Sequence, residues 1–319
     1  MAGVAGGRLA AAVHKAGGFG YIGAGHKPIE TLVEDVQLAR EALSLKEGDN
    51  LPLGIGFMGW KFEAPHLPAD QGAQEGDKWL RYIIHGANAR SIWISFAVDL
   101  KHWVDRARKI ETEAPTEGNA AARTTKEKLL IVIMVHSADK AKEVMTWPGI
   151  DAIVLQGTEA GGHGADFDSG ASLASLLNSV LALKSHPASA PLILAAGGIS
   201  SPQAVSELLS HEGVAAVVTG TALCVADEST LSGPQKKLLV EAEDGETSTA
   251  RSLRWDVARG TTGWPAGVDG RGLRDQTSEG TGEVQKGGPP VTWAGTGVGD
   301  VSTTAPAAEI VQHLMSKSF

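Results

Sequence analysis

The sequence has a single cysteine, Cys224, which excludes an intrachain disulfide framework and a thiolate metal cluster and fits a reducing, cytoplasmic setting. It has no HExxH and no clustered Cys/His pattern, so no metal is expected. No apolar run approaches the ~20 residues that span a bilayer. The first residues, Met1 to Ala12, carry Arg8 amid glycine and alanine and do not form a signal-peptide pattern. The C-terminal Ser316-Lys317-Ser318-Phe319 is not a standard peroxisomal address. Basic residues are in deficit, 28 against 37 acidic for a net charge of −9, which argues against a nucleic-acid or anionic-membrane partner. What is left is a chain of 319 residues, 42% hydrophobic and 20% charged, able to bury a substantial core. That balance favours a small-molecule enzyme.

Short apolar runs recur along the chain, each followed by a helical stretch. The strand candidates are Phe19–Gly23, Leu51–Phe57, Ser91–Ala97, Leu129–Val135, Ala152–Gln156, Leu192–Ala196 and Ala215–Thr219. Their starts lie roughly 23 to 40 residues apart, about one βα unit each. Runs such as Leu129-Leu-Ile-Val-Ile-Met-Val135 are apolar on both faces, as parallel strands covered by helices require. Between them, Ile29–Leu45 sets Ile29, Leu32, Val33, Val36 and Ala39 on one stripe. Ser201-Pro202 opens a helix with a capping residue and a first-turn proline. The expected fold is α/β, a (β/α)₈ TIM barrel that lacks its first strand, with an open doubly wound sheet as the alternative. Residues 1–228 form the barrel in this reading, and residues 229–319 a helical and Gly-rich extension packed on it. Pro234–Ala242 and Thr249–Ala258 are expected to be helical, and Gly260–Gly299 irregular. Two insertions stand out, Gly59–Gly76 and Glu113–Lys126. The first falls on the C-terminal side of its strand, where barrel active sites sit.

The segment richest in chemistry is Gln156-Gly157-Thr-Glu159-Ala-Gly161-Gly162-His163-Gly164, which closes the strand Ala152–Gln156. It presents one histidine from a glycine-dense loop at the catalytic face of a barrel. Gly161 and Gly162 would let the backbone approach a flat cofactor. The Gln156 amide, with a donor and an acceptor, suits the polar edge of a flavin. Two more glycine turns, Ala195-Ala196-Gly197-Gly198-Ile199 and Val218-Thr219-Gly220-Thr221-Ala222, close the next two strands. Strand ends at these positions are where barrels hold a phosphate on convergent backbone N–H groups. The glycines of Ala16–Gly25 flank a strand and do not open a helix, so they read as close packing and not as a dinucleotide fingerprint. Trp60, Phe62 and His66 either pack or close over a substrate. His136 is either a polar contact or a structural histidine. Asp166 and Asp168 either orient His163 or cap the helix that follows.

Together these segments resemble the nitronate monooxygenase family, formerly called the 2-nitropropane dioxygenases. The likeness runs from Met1 to about Glu228 and, more weakly, through Gly263–Arg271. It is carried by Met1-Ala-Gly-Val-Ala-Gly-Gly-Arg-Leu-Ala-Ala-Ala-Val13, Ala16-Gly-Gly-Phe-Gly20, the Gln156–His163 segment and Ala195-Ala-Gly-Gly-Ile199. The resemblance implies bound FMN and the oxidation of alkyl nitronates or nitroalkanes by O₂ to a carbonyl compound and nitrite. It implies that His163 takes the α-proton of a nitroalkane or steadies a bound nitronate. Gln156 and Gly157 would contact the isoalloxazine ring, Gly197, Gly198, Gly220 and Thr221 would hold the phosphate, and Ala196 would also touch the cofactor. Family members carry a Pro-Met turn against the flavin where this chain starts, and Met1 matches that Met. Met1, Ala2 and Gly3 are therefore expected on the flavin. An FMN-dependent enoyl-thioester reductase shares the barrel and a similar histidine motif, but usually carries an acidic residue where Gln156 stands. A flavin-barrel paralogue without turnover is the third reading.

Overall fold

The computed structural model describes all residues except Met1, Ala2, His26, Glu47, Ala64, His66, 114–126, Phe167, 184–189, Thr281, Gln285, Gly288, Pro289 and Phe319. The chain divides into two compact units. The first comprises Met1–Met134, Trp147–Ala152 and Glu228–Thr230; the second comprises Val135–Thr146, Ile153–Asp227 and Leu231–Phe319.

The strands are β1 (Tyr21–Ile22), β2 (Leu51–Met58), β3 (Ala89–Ser95), β4 (Leu130–Val135), β5 (Ala152–Gln156), β6 (Gly162–Ala165), β7 (Leu192–Ala196), β8 (Val214–Val218), β9 (Thr249–Ser252) and β10 (Val268–Leu273). Seven of them belong to the main sheet and follow chain order, β1-β2-β3-β4 in the first unit and β5-β7-β8 in the second. All seven segments expected from the apolar runs form these strands. The pairs β1–β2, β2–β3, β3–β4 and β7–β8 are parallel. The separate three-stranded sheet β6-β10-β9 is antiparallel and lies wholly in the second unit.

In the first unit the N-terminal helix Gly7–Lys15 lies on the helix Ile29–Leu43. Glycine is required at the crossing. A Cβ on Gly7 would stand 1.7 Å from the backbone oxygen of Asp35, and the Gly7 N–H donates to Asp35 Oδ1 at 3.0 Å. Ile29, Leu32, Val36 and Ala39 are buried as expected, but Val33 is 43% exposed. At 100° per residue it falls at the edge of the stripe the other four define. The glycines around β1 do serve close packing, since a Cβ on Gly20 would stand 2.0 Å from Ala10 O.

The segment Gly59–Gly76 turns through a short 3₁₀ helix, Gly59–Phe62, into the helix Ala69–Arg81. Trp60 and Phe62 are each 4% exposed, and Phe62 stacks on Phe57 with ring centres 5.0 Å apart. These aromatics are core of the first unit; His66 lies outside the described residues. Glu63 anchors the segment by accepting from Trp103 Nε1 at 3.0 Å and from the N–H groups of Val98 and Asp99. Lys61 donates to Lys27 O at 2.8 Å and sits 4.2 Å over Trp79, and burial lowers its pKa to about 8 against the opposing pull of Glu75. Of the second insertion, only Glu113 is described, bound to Arg81 and Arg106.

In the second unit, Thr249–Ala258 is not one helix. Thr249–Ser252 forms β9 on β10, and only Arg254–Arg259 is helical. Tertiary pairing overrides local preference here, because Arg251 is drawn inward onto Asp269 with 2% of its side chain exposed. The Gly-rich stretch from Gly260 contains β10 and a 3₁₀ turn at Thr296–Asp300. The last helix, Ala307–Met315, buries Ala307, Val311 and Leu314 and lies on the helix Pro202–Ser210. Among the described residues no helix is long and apolar enough to cross a membrane.

The Gly7 contact gives a direct test. Gly7→Ala forces a methyl group into backbone and not into a flexible side chain, so it is expected to destabilise the protein by about 1–3 kcal/mol. Thermal melting of the variant against wild type, and against Gly17→Ala as a positive-φ glycine with open space around it, reads this out as the larger fall in Tm.

Candidate active site

The β5 strand ends at Gln156, and the Gly157 N–H bonds to Ala196 O at 2.9 Å, tying this strand end to that of β7. The turn that follows is crowded. A Cβ on Gly157 would meet Glu159 Oε2 at 2.1 Å, and one on Gly161 would meet Ala294 C at 2.5 Å. Side chains from the C-terminal region hold the turn in place. Arg251 Nη1 and Arg271 Nε both donate to Thr158 O, at 3.1 and 2.9 Å. The Glu159 carboxylate accepts from Leu173 N at 3.1 and 3.0 Å, opening the helix Leu173–Leu181. Burial lowers the Arg271 pKa, and the neighbouring Arg251 cation lowers it further, against the acids Glu246, Glu159 and Asp269.

His163 does not project from the glycine loop as expected. It lies within β6, opposite Gly270 of β10. Its Nε2 is 3.0 Å from each oxygen of Asp256, and the two side chains are 9% and 2% exposed. Trp264 stacks on the imidazole with centres 3.7 Å apart and planes 13° from parallel. Trp293 tilts against it at 4.9 Å. Asp256 Oδ1 also accepts from Thr261 Oγ1 at 2.8 Å and from Trp264 Nε1 at 3.2 Å. Asp166 instead binds Ser169, through its N–H at 2.8 Å and its hydroxyl at 2.6 Å. Those bonds hold the Asp166 carboxyl below its usual range. The orienting carboxylate is thus Asp256, which sequence reasoning missed. The available signal was an acid set beside Trp255 and near Ala258, the two apolar residues that the helix buries.

Two polar atoms at the strand ends are buried without a hydrogen-bond partner among the described residues, Gln156 Oε1 and Thr219 Oγ1. Gln156 Oε1 lies 3.0 Å from where a Cβ on Gly164 would be, directly beside the His163 backbone. His136, just after β4, has both ring nitrogens buried. Burial lowers its pKa to about 4, the Arg251 charge acts in the same direction, and a hydrogen bond with the Gln156 backbone opposes both. Gly197 and Gly198 adopt φ of +122° and +69°, which favour glycine. The segment Ala294–Val298 runs over them. A Cβ on Gly297 would meet Gly198 O at 2.3 Å, and the Gly295 N–H donates to Thr221 Oγ1 at 3.0 Å. The structure therefore brings Gln156, Gly157, Gly161, Gly162, His163, Ala196, Gly197, Gly198, Gly220 and Thr221 into one unit. Gly3 belongs to the other unit, where its N–H bonds to Gly23 O at 3.1 Å; Met1 and Ala2 lie outside the described residues. Among the described residues no group of three or more His, Cys, Asp or Glu side chains could hold a metal.

A parallel α/β sheet, together with a histidine–carboxylate pair formed between β6 and the helix Arg254–Arg259, belongs here to an oxidoreductase of a generally flavin-dependent class. A family model described as nitronate monooxygenase matches residues 1–264. The chain belongs to the nitronate monooxygenase family. It is 29% identical to nitronate monooxygenase npaC of Metarhizium robertsii, over 96% of this chain and 85% of that protein. It is 26% identical to a nitronate monooxygenase of Neurospora crassa, over 99% of this chain and 86% of that one. Its fold is similar to that of a solved nitroalkane oxidase from Streptomyces ansochromogenes, with a TM-score of 0.71 at 22% identity, covering 99% of this chain and 92% of the other.

Burial of His136 predicts a pH dependence of stability. Its pKa falls from 6.5 in the unfolded chain to about 4 in the fold, so the unfolded state takes up the proton first. The stabilisation is fully present above pH 6.5 and is lost as pH falls towards 4, a share of roughly 3 kcal/mol at ~1.4 kcal/mol per pH unit. Denaturant unfolding at several pH values is expected to show a shallower slope across that window in His136→Gln than in wild type.

Proposed function

We propose that this protein is an FMN-dependent enzyme that oxidises alkyl nitronates or nitroalkanes with O₂ to a carbonyl compound and nitrite. In this reading the seven parallel strands are those of a (β/α)₈ barrel. Residues 1–228 carry the FMN-binding part, and residues 229–319 an extension that completes the site. The observation that carries the reading is His163, in β6 just beyond the turn that follows Gln156, its side chain bound to the buried Asp256.

The residues present fit a flavin. Gln156 Oε1 and Thr219 Oγ1 are buried polar atoms with no hydrogen-bond partner among the described residues, and such atoms call for one. Gln156 would take a polar edge of the ring. The positive-φ glycines Gly197 and Gly198, with Gly220 and Thr221 at the start of the short helix Thr221–Cys224, would hold the phosphate on backbone N–H groups. Gly162, at φ +76° with nothing within 4 Å of its Cβ position, leaves room for a planar ring. When bound, FMN supplies the electron acceptor and the route to O₂. The protein's own residues position the substrate and move the proton. His163 accepts the α-proton of a neutral nitroalkane, and as imidazolium it balances the charge of the nitronate. Trp264 and Trp293 wall the imidazole and exclude water from two sides.

The reading is tested by reconstituting the protein with FMN, desalting, and measuring oxygen uptake. Wild type is expected to retain flavin absorbance and to consume oxygen with both a neutral nitroalkane and its nitronate. His163→Ala is expected to keep the flavin and to lose about 10²–10⁴-fold with the neutral substrate, as removal of a general base does, and much less with the nitronate. Flavin retention without oxygen uptake on either substrate, accompanied by nicotinamide consumption with an enoyl thioester, overturns the assignment.

A further inference from the structure

We infer that Asp256 is a positioning residue that fixes the His163 tautomer, so that Nδ1, and not Nε2, is the nitrogen that takes the substrate proton. The inference deepens the functional reading above and rests on it only for the activity arm of its test. Its basis is geometric. Nε2 lies 3.0 Å from both carboxylate oxygens, and a carboxylate only accepts, so Nε2 carries the hydrogen and Nδ1 keeps its lone pair. Among the described residues no hydrogen bond reaches Nδ1. The carboxylate is itself held from three directions: by His163, by the Thr261 hydroxyl and by the Trp264 indole. Trp264 therefore does two things at once. It stacks on the imidazole face and donates to the acid that orients it. A ring clamped on one face, along one edge and at one nitrogen can neither flip nor change tautomer without breaking a buried contact.

The arrangement makes an unusual expectation for the isosteric variant. In Asp256→Asn the amide oxygen is claimed at the Oδ1 position by two donors, Thr261 and Trp264. The amide NH₂ must then occupy the other position and donate to His163 Nε2. This drives the hydrogen of the ring onto Nδ1 and removes the base without removing the histidine. A neutral nitroalkane transfers its α-proton to the ring nitrogen, whereas a nitronate has already lost it. Only the first substrate should feel the inversion.

The test reads the tautomer and the rate separately. Nitrogen-15 NMR of histidine-labelled protein, with the His163 signals assigned by their loss in His163→Gln, is expected to show Nε2 protonated in wild type and Nδ1 protonated in Asp256→Asn. In FMN-loaded protein, Asp256→Asn is expected to lose about 10²–10⁴-fold in kcat/KM on a neutral nitroalkane and less than about 10-fold on the nitronate, with Asp256→Glu recovering at least about 10-fold. A wild-type ring protonated on Nδ1, or equal losses on both substrates, overturns the inference. The wild-type spectrum alone decides the tautomer should Asp256→Asn fail to fold. Inactivity of wild type on both substrates, with the tautomers as stated, counts against the functional reading and leaves the positioning role standing.

Discussion

Everything at the candidate site depends on the register of β6 against β10, which sets His163 opposite Gly270. A Cβ at Gly270 would stand 2.5 Å from the Trp293 ring. The absence of a side chain there lets Trp293 come within 4.9 Å of the imidazole. Because side chains alternate across a strand, a slip of one residue would carry His163 to the opposite face, away from Asp256 and both tryptophans. The register is itself pinned from the far side of β10, where Arg271 and Gly272 pair with Arg251 and Ala250 of β9. A short sheet of three strands thus converts a local pairing choice into the orientation of one ring.

Charge burial reinforces that choice. Arg251 is 2% exposed and is bound to the Asp269 carboxylate, to Asp269 O and to Thr158 O. Breaking such a pair by removing one partner costs about 3–5 kcal/mol, since the other charge is left buried. The same guanidinium lowers the pKa of His136 and of Arg271. Burial is the first cause of the lowered pKa at both residues, and Arg251, placed where it can hold the turn, adds to it. The positive field near Gln156 is therefore built by the C-terminal strands and not by the strand that ends there.

This division explains what could be read from the chain beforehand. The seven main-sheet strands were legible because a parallel strand buried on both faces writes an unbroken apolar run, as at Leu130–Val135. His163, Gln156 and the paired glycine turns were legible because glycine at a strand end has few other uses. β9 and β10 were not. Thr249–Ser252 is short and polar and Val268–Leu273 carries two glycines, and their strand character comes from partners rather than from their own composition. Asp256 was hidden for the same reason. It belongs to a six-residue helix, Arg254–Arg259, too short for periodicity to reveal its inward face, and its partner lies 93 residues away. Asp166, nearer in sequence, was the natural candidate and proved to serve a local turn.

The glycines of the histidine turn pose a problem that the tail resolves. Gly157 and Gly161 let backbone approach backbone, Gly162 takes a positive φ and Gly164 makes room for the Gln156 side chain, and each costs about 0.5–1 kcal/mol in conformational entropy relative to alanine. A turn so composed cannot hold an imidazole steady by its own stiffness. Its rigidity is imposed from outside, by two guanidinium donors on Thr158 O, by the Thr296 N–H on Glu159 O at 2.9 Å and by the Glu159 carboxylate on Leu173 N. Hydrogen bonds from charged groups contribute about 1.5–3 kcal/mol each, enough to offset the entropy of the four glycines. The residues that make the turn permissive and the residues that make it rigid sit almost a hundred positions apart, and neither set makes a site without the other.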